Sequence, residues 1–253
     1  MPQKIRQYED KKENCLFSDK DMYLSMWRSK NGRDKIIDSL PNAEKSECVY
    51  NNRHIVSKML FDGEYPIIKP YNGPFNFETI AFTERNRATG KNQAVHFFLY
   101  DRYFRKLMWE KLEKTVIELS KFEVVFAPDF SLWVNLPYFY NMESLFKNRV
   151  ATAYMQQCGI NTIPVASFGN VDSLNYCFNG LPQKSIIGLC GVGHLSSKAC
   201  DALWHYALSV LETKLQPTLI IIYGPKVQIT NLKTPIIFIT DFITKKFRSN
   251  VTK

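Results

Sequence analysis

The sequence lacks the features that define membrane proteins, exported proteins and several large enzyme classes. Its longest apolar stretches, Thr218–Tyr223 and Pro235–Thr240 among them, are far too short to cross a bilayer. Charged residues follow the amino terminus where a signal peptide would have an apolar core. The chain contains no Gly-x-Ser-x-Gly elbow, phosphate-binding P-loop or Cys/His zinc cluster. We therefore expect a cytoplasmic protein with no membrane partner.

Cysteine is sparse and shows no pairing pattern. None of the six cysteines forms a C-x-x-C pair, and several lie among apolar neighbours. Free cysteine in such surroundings behaves as a small hydrophobic residue. We expect reduced thiols in a reducing compartment, at Cys15, Cys48, Cys158, Cys177, Cys190 and Cys200.

Basic residues outnumber acidic ones. The 253-residue chain has 33 Lys and Arg against 24 Asp and Glu, a net charge of +9. Such a surface favours anionic partners, namely nucleic acid, nucleotides or acidic proteins. Aromatic residues make up 14% of the chain, and aromatics beside basic residues are what single-stranded nucleic acid sites use for stacking.

Unbroken apolar runs, each followed by turn-forming polar residues, are the main indication of the fold. Because strands buried on both faces read as continuous apolar runs, this pattern predicts an α/β fold with a mostly parallel sheet of about six strands. Either an incomplete β/α barrel or an open doubly wound sheet fits. The predicted strands are Ala94–Leu99, Glu123–Phe126, Thr162–Val165, Ser185–Leu189, Thr218–Ile222 and Pro235–Thr240.

Helical sequence lies between most of these strands. Asp101 is a favourable N-cap for a helix that runs to about Ser120, and Gly159 suits the end of a second helix. The other predicted helices are Tyr138–Gln157, Asp172–Phe178 and Ser197–Leu215. We divide the chain into an irregular basic N-terminal arm (1–75), an α/β domain (76–242) and a basic tail (243–253).

Polar residues that directly follow predicted strands are the candidate site, because ligands of parallel sheets bind at the carboxyl ends of the strands. Asp129 follows a buried strand, where a carboxylate would accept a proton, bind a cation or cap the next turn. Ser131, Ser167, Asp172 and Tyr223 are predicted to line the same edge.

A glycine-containing loop follows another strand and precedes a helix. Gly191 and Gly193 resemble part of a dinucleotide fingerprint, but Ser196 replaces the third glycine. The looser interpretation is an anion-binding nest, with His194 as a phosphate donor, an acid or a base. We predict that Asp129 and His194 approach one cavity as catalytic residues.

One long helix carries two polar residues that could contact a ligand. Arg149 and Gln156 are seven positions apart and therefore share a helix face. A guanidinium and an amide on one face could bind phosphate or a base edge, although a solvated face is the simpler interpretation.

An ordered set of short motifs extends over about residues 94–226: His96-Phe97-Phe98, Pro128-Asp129-Phe130-Ser131-Leu132, Asn148-Arg149, Tyr154-x-Gln156, Gly159-Ile160, Ile163-Pro164, Ser173, Cys177-Phe178-x-Gly180 and Tyr223-Gly224. This set resembles the family called domain of unknown function forty-four seventeen, found in bacteria, phages and other mobile elements. The chain departs from the family pattern at Met155 and Phe168, where tryptophan is expected. The resemblance implies a phage or mobile-element setting and carries no established activity.

Three functions follow from these observations. The first is an enzyme that acts on a phosphate-bearing ligand, a nucleotide or nucleic acid, at the carboxyl ends of the strands. The second is a nucleic-acid-binding protein of replication or regulation without chemistry. The third is a protein interaction factor, for instance a phage inhibitor of a host system. The sequence specifies no cofactor, and a divalent metal held by Asp129 is compatible with the first function.

Overall fold

Short parallel strands alternate with helices along the part of the chain that the structure describes. This computed structural model describes residues 59–192, 198–230 and 232–239. No helix in these ranges is long and apolar enough to cross a membrane. The predicted tail, the first 58 residues of the predicted arm, Gly193 and His194 lie outside the described residues.

The described end of the predicted arm contains regular structure. Strands β1 (Phe61–Asp62) and β2 (Tyr65–Pro66) pair antiparallel around a turn at Gly63. Tyr65 and Ile68 are buried against the main body of the protein. The segment from residue 59 to residue 75 therefore packs as part of the fold.

The first sheet has four strands in chain order, and each strand is parallel to its neighbours. The apolar run at Glu123–Phe126 forms a three-residue strand buried throughout, as predicted. The strand at Glu78–Ala81 was not predicted, because only its last two residues are buried and its apolar run is correspondingly short. The strands are β3 (Glu78–Ala81), β4 (Gln93–His96), β5 (Val124–Phe126) and β6 (Thr162–Ile163).

The second sheet is also parallel and also has four strands, paired in the order of the chain. Its central strands are apolar runs buried along almost their whole length, which is why the sequence identified them. The strands are β7 (Val165–Ala166), β8 (Ile186–Cys190), β9 (Leu219–Tyr223) and β10 (Ile236–Ile239).

The predicted strand Thr162–Val165 is divided at Pro164 between the two sheets. Proline has no N–H to donate to a ladder, so regular pairing stops there. The carbonyl of Ile163 accepts from Ala127 N at 2.8 Å, and the carbonyl of Pro164 accepts from Gly188 N at 2.8 Å. This short segment thus joins the last strand of one sheet to the first strand of the other.

In the described ranges, three α-helices connect the strands: α1 (Leu112–Leu119), α2 (Tyr138–Gln157) and α3 (Lys198–Leu215). The second and third have the predicted bounds to within one residue, and Gly159 has the positive φ of 74° that favours glycine after a helix. The short helix predicted from Asp172 is a 3-10 turn, Asp172–Asn175.

The single helix predicted from Asp101 to Ser120 is wrong over its first half. The chain forms a 3-10 turn at Asp101–Tyr103 and a π-helical turn at Lys106–Glu110 before α1 begins. Asp101 does not cap a helix, because its carboxylate accepts hydrogen bonds from a distant loop. A tertiary contact has replaced the local one.

The helices cover one face of each sheet. α1 and part of α2 pack on the face of the first sheet that contains Val95 and Val125, and α3 packs on Ile187 and Ile220 of the second. The opposite strand faces share one buried cluster with Tyr71 that contains no residue of the three α-helices.

Chain-order strands with helices on one face correspond to an incomplete β/α barrel, not to a doubly wound sheet with helices on both faces. Among the described strands, β3 and β10 end the order without pairing to each other. The barrel interior is filled by side chains, and the carboxyl ends of the strands open to one edge.

Candidate functional site

Two polar side chains that follow strands of the two different sheets meet directly. Asp129 follows β5 by three residues, and Ser167 follows β7 immediately. The Ser167 hydroxyl donates a 2.5 Å hydrogen bond to Asp129 Oδ1. The structure therefore brings together two residues that the sequence placed separately at this edge.

A second carboxylate lies beside this pair. Ser131 donates to Asp101 from its hydroxyl at 2.7 Å and from its backbone N–H at 3.1 Å. Ser131 is thus held by a carboxylate and is not free to donate to a ligand. The negative charge of Asp101 also acts on Asp129. The site contains an acidic pair, of which the sequence indicated only Asp129.

Burial, and to a lesser extent the charge of Asp101, raise the pKa of Asp129 to about 7. The hydrogen bond from Ser167 works in the opposite direction, because it stabilises the carboxylate. A carboxyl group with this pKa exchanges its proton near neutral pH, as a general acid or base requires.

A hydrogen bond from α2 holds the loop that carries Asp129. Asn148 Nδ2 donates to the carbonyl of Pro128 at 2.6 Å, and Asn148 Oδ1 accepts from Arg149 at 2.6 Å. The guanidinium also donates to the carbonyls of Cys177 at 2.7 Å and Asn179 at 3.0 Å. Arg149 is 1% exposed, so it connects α2 to the loop that contains Cys177 and Asn179 and does not face a ligand.

Gln156 is likewise engaged by backbone. Its amide accepts from Lys69 N at 2.8 Å and donates to Lys69 O at 2.9 Å. The predicted ligand contacts of Arg149 and Gln156 therefore differ from the observed ones. Helical spacing correctly predicted that the two residues share a helix face, but backbone from other segments of the chain covers that face.

Two further predicted ligand residues, Tyr223 and Gly191, make contacts within the protein instead. Tyr223 is 2% exposed, and its ring lies 4.7 Å from that of His96 and 5.1 Å from that of Phe98. The amide of Gly191 donates to the carbonyl of Tyr223 at 2.8 Å, because strand pairing continues past the predicted strand end. That amide is not available to an anion. Asp172, by contrast, is exposed.

The predicted meeting of Asp129 with His194 stays a prediction, because Gly193 and His194 lie outside the described residues. Within the described residues, no group of three or more His, Cys, Asp or Glu side chains could hold a metal ion.

A groove of about 200 Å³ adjoins this acidic pair. Asp101 lines it, together with Phe130 from the loop that carries Asp129. The sequence did not indicate this groove, because its wall combines the segment after β4, the loop after β5 and two turns of α2. Its remaining lining residues are Arg105, Trp133, Leu136, Tyr140, Glu143, Ser144 and Lys147.

Two cationic side chains line the groove, and they differ in their ion pairing. The Lys147 ammonium forms a 2.6 Å ion pair with Glu143 one turn earlier in α2. Arg105 is exposed and forms no ion pair with a carboxylate of the described residues. Arg105 is therefore the cation of the groove that can contact an anionic ligand.

The comparisons with known proteins point to one family. The model described as domain of unknown function (DUF4417) matches residues 63–242. The chain is 34% identical over 140 residues to the Gene 1 protein of Mycobacterium phage L5, which covers 55% of this chain and 61% of that protein. It is 31% identical over 140 residues to the Gene 1 protein of Mycobacterium phage D29, covering 55% and 52%.

The chain thus spans about half to three-fifths of the length of these curated relatives. No solved structure matches it significantly.

Proposed function

The chain belongs to the family described as domain of unknown function (DUF4417), and from this premise and the site geometry we propose that it acts on a phosphate-bearing ligand. The ligand is a nucleotide or a nucleic acid strand bound at the carboxyl edge of the first sheet. Similarity to two phage proteins supports a phage or mobile-element setting.

One observation carries the proposal: the Asp129 carboxyl group has a pKa of about 7, and its chain neighbour Phe130 lines a groove with Arg105, which forms no ion pair with a described carboxylate. A proton acceptor that changes state near neutral pH is what hydrolysis or transfer chemistry requires. A guanidinium matches the geometry of phosphate oxygens. The two groups are connected through Asp101 and Phe130, which line the groove.

In this proposal Asp129 removes a proton from the attacking water or hydroxyl. The Ser167 hydrogen bond fixes one carboxylate oxygen, and the other oxygen accepts the proton. Arg105 contacts the phosphate and offsets the negative charge of Asp101 and Asp129. Ser131 holds Asp101 in place and acts as a positioning residue.

The test is product formation by the whole protein with nucleotides and short oligonucleotides, with and without Mg²⁺, followed by mass spectrometry. We expect Asp129→Asn to reduce turnover about 100-fold or more, because general-base catalysis contributes at least that factor. The wild-type rate should rise with pH and level off above about pH 7.

The matched control is Asp201→Asn, since Asp201 is a partly buried carboxylate on α3, outside the site. It should leave turnover and its pH dependence unchanged. Turnover by Asp129→Asn at the wild-type rate would overturn the assignment of Asp129. Oligonucleotide binding without turnover of any substrate would favour the non-enzymatic alternative.

A further inference from the structure

Six aromatic side chains stand out from the protein at the carboxyl edge of the first sheet. Each is between 45% and 67% exposed, unlike the buried aromatics of the core. Large apolar side chains clustered on a surface mark interaction sites. We call this group the aromatic ridge: Tyr100, Tyr103, Trp133, Tyr138, Phe139 and Tyr140.

The ridge comes from three segments of the chain that border the same groove. Tyr100 and Tyr103 flank the 3-10 turn that contains Asp101, and Asp101 lines the groove together with Trp133 and Tyr140. The Tyr100 and Tyr103 rings lie 6.5 Å apart. On α2, the rings of Phe139 and Tyr140 stack 4.5 Å apart.

Hydrogen bonds hold the ridge in place before any ligand binds. The backbone N–H of Trp133 donates to Asn141 Oδ1 at 2.7 Å, and Asn141 Nδ2 donates to Trp133 O at 2.9 Å. Asn141 is itself 2% exposed. This clamp joins the loop after β5 to the first turn of α2. An ordered surface loses less entropy on binding than a mobile one.

Cations accompany the rings. The Arg102 guanidinium carbon lies 5.3 Å from the centre of the Tyr100 ring and 5.0 Å from that of Tyr103. Arg105 and Lys106 are exposed on the same segment. None of the three forms an ion pair with a carboxylate of the described residues. The charge of this surface therefore complements a polyanion.

We infer that the aromatic ridge binds a single strand of nucleic acid, with bases stacked on the rings and phosphates on Arg102, Arg105 and Lys106. Stacking on protein rings requires bases that are not paired within a duplex. Six rings along one surface exceed what one nucleotide would use. The inference rests on the proposed function, because it names the substrate class of the same site.

The experiment measures the binding of a fluorescein-labelled oligothymidylate of about 12 nucleotides to the full chain by anisotropy. We expect Tyr138→Ala and Phe139→Ala each to weaken binding about tenfold, as the loss of one stacked base does. The control is Tyr206→Ala, which removes a 54% exposed aromatic from α3. It should bind as the wild type does.

A second measurement does not depend on alanine variants. Trp133 is 53% exposed while Trp204 is 1% exposed, so stacking of a base should quench the fluorescence of Trp133 selectively. Most of this quenching should disappear in Trp133→Phe, and circular dichroism shows whether each variant folds.

Equal affinity for the single strand and a duplex of the same length would overturn the inference, as would an equal loss in Tyr206→Ala. So would a dimer that dissociates in the ridge variants while no oligonucleotide binds. Binding is measured in Asp129→Asn as well, where we expect turnover to be at least about 100-fold slower. Strand binding without turnover contradicts only the proposed function, and turnover of a free nucleotide without strand binding contradicts only this inference.

Discussion

At the scale of single residues, Asp129 makes stability depend on pH. Its pKa is raised from 3.8 to about 7, so the folded protein binds this proton more tightly than the unfolded chain does. The stabilisation of the folded protein by this protonated carboxyl group is fully present below about pH 4 and is lost as the pH rises through 7. Asp129→Asn removes the ionisation and keeps an oxygen that accepts from Ser167.

We therefore expect Asp129→Asn to be more stable than the wild type by about 4 kcal/mol at pH 8, and to have the same stability as the wild type at pH 4. Urea denaturation at both pH values measures the difference. A variant that is less stable at pH 8 would show that the ionised carboxylate is a structural cap.

Arg149 and Arg105 are expected to behave in opposite ways, although both carry guanidinium groups. Arg149→Met removes the donor of three hydrogen bonds, two of them buried, and should lower the free energy of unfolding by about 3 kcal/mol. Arg105→Met alters an exposed side chain and should change stability by less than about 0.5 kcal/mol while it weakens ligand binding. Urea denaturation of both variants distinguishes the roles; equal stability would contradict them.

At the scale of elements, Gly188 lets β8 lie close to its neighbours inside the barrel. A Cβ atom there would lie 2.9 Å from the ring of Phe126 and 3.2 Å from the side chain of Val165. Phe126 is fully buried and cannot move away cheaply. Gly188→Ala should therefore destabilise the fold by about 2 kcal/mol.

The matched control is Gly169→Ala, whose added methyl would have 3.5 Å to its nearest neighbour. Thermal unfolding of the two variants checks the difference. Equal midpoints would mean that the strands adjust without cost.

The apolar runs predicted the strands because a strand buried along its whole length appears in the sequence as a continuous run of apolar residues. Pro164 divides one predicted strand, and its missing N–H was visible in the sequence. The division between two sheets was not visible, because it depends on which carbonyls meet Ala127 and Gly188.

At the scale of the whole molecule, the net charge of +9 predicts that strand binding depends on salt. If three cations of the ridge neutralise phosphates, affinity should fall about 20-fold between about 50 and about 200 mM salt. Arg105→Gln should reduce the slope of log affinity against log salt by about 0.7, whereas Tyr138→Ala should lower affinity at constant slope. Titrations at four salt concentrations measure both slopes, and affinity independent of salt would contradict phosphate contacts.

The sequence by itself determined the parallel α/β fold, two of the three α-helices and the edge at which Asp129 and Ser167 meet, because burial, periodicity and strand direction are local properties. Only the tertiary structure decided which polar groups form hydrogen bonds within the protein. Arg149 and Gln156 bond to backbone. Asp101 binds Ser131 in place of capping a helix. Periodicity shows which residues share a face, but the segment that covers the face comes from elsewhere in the chain.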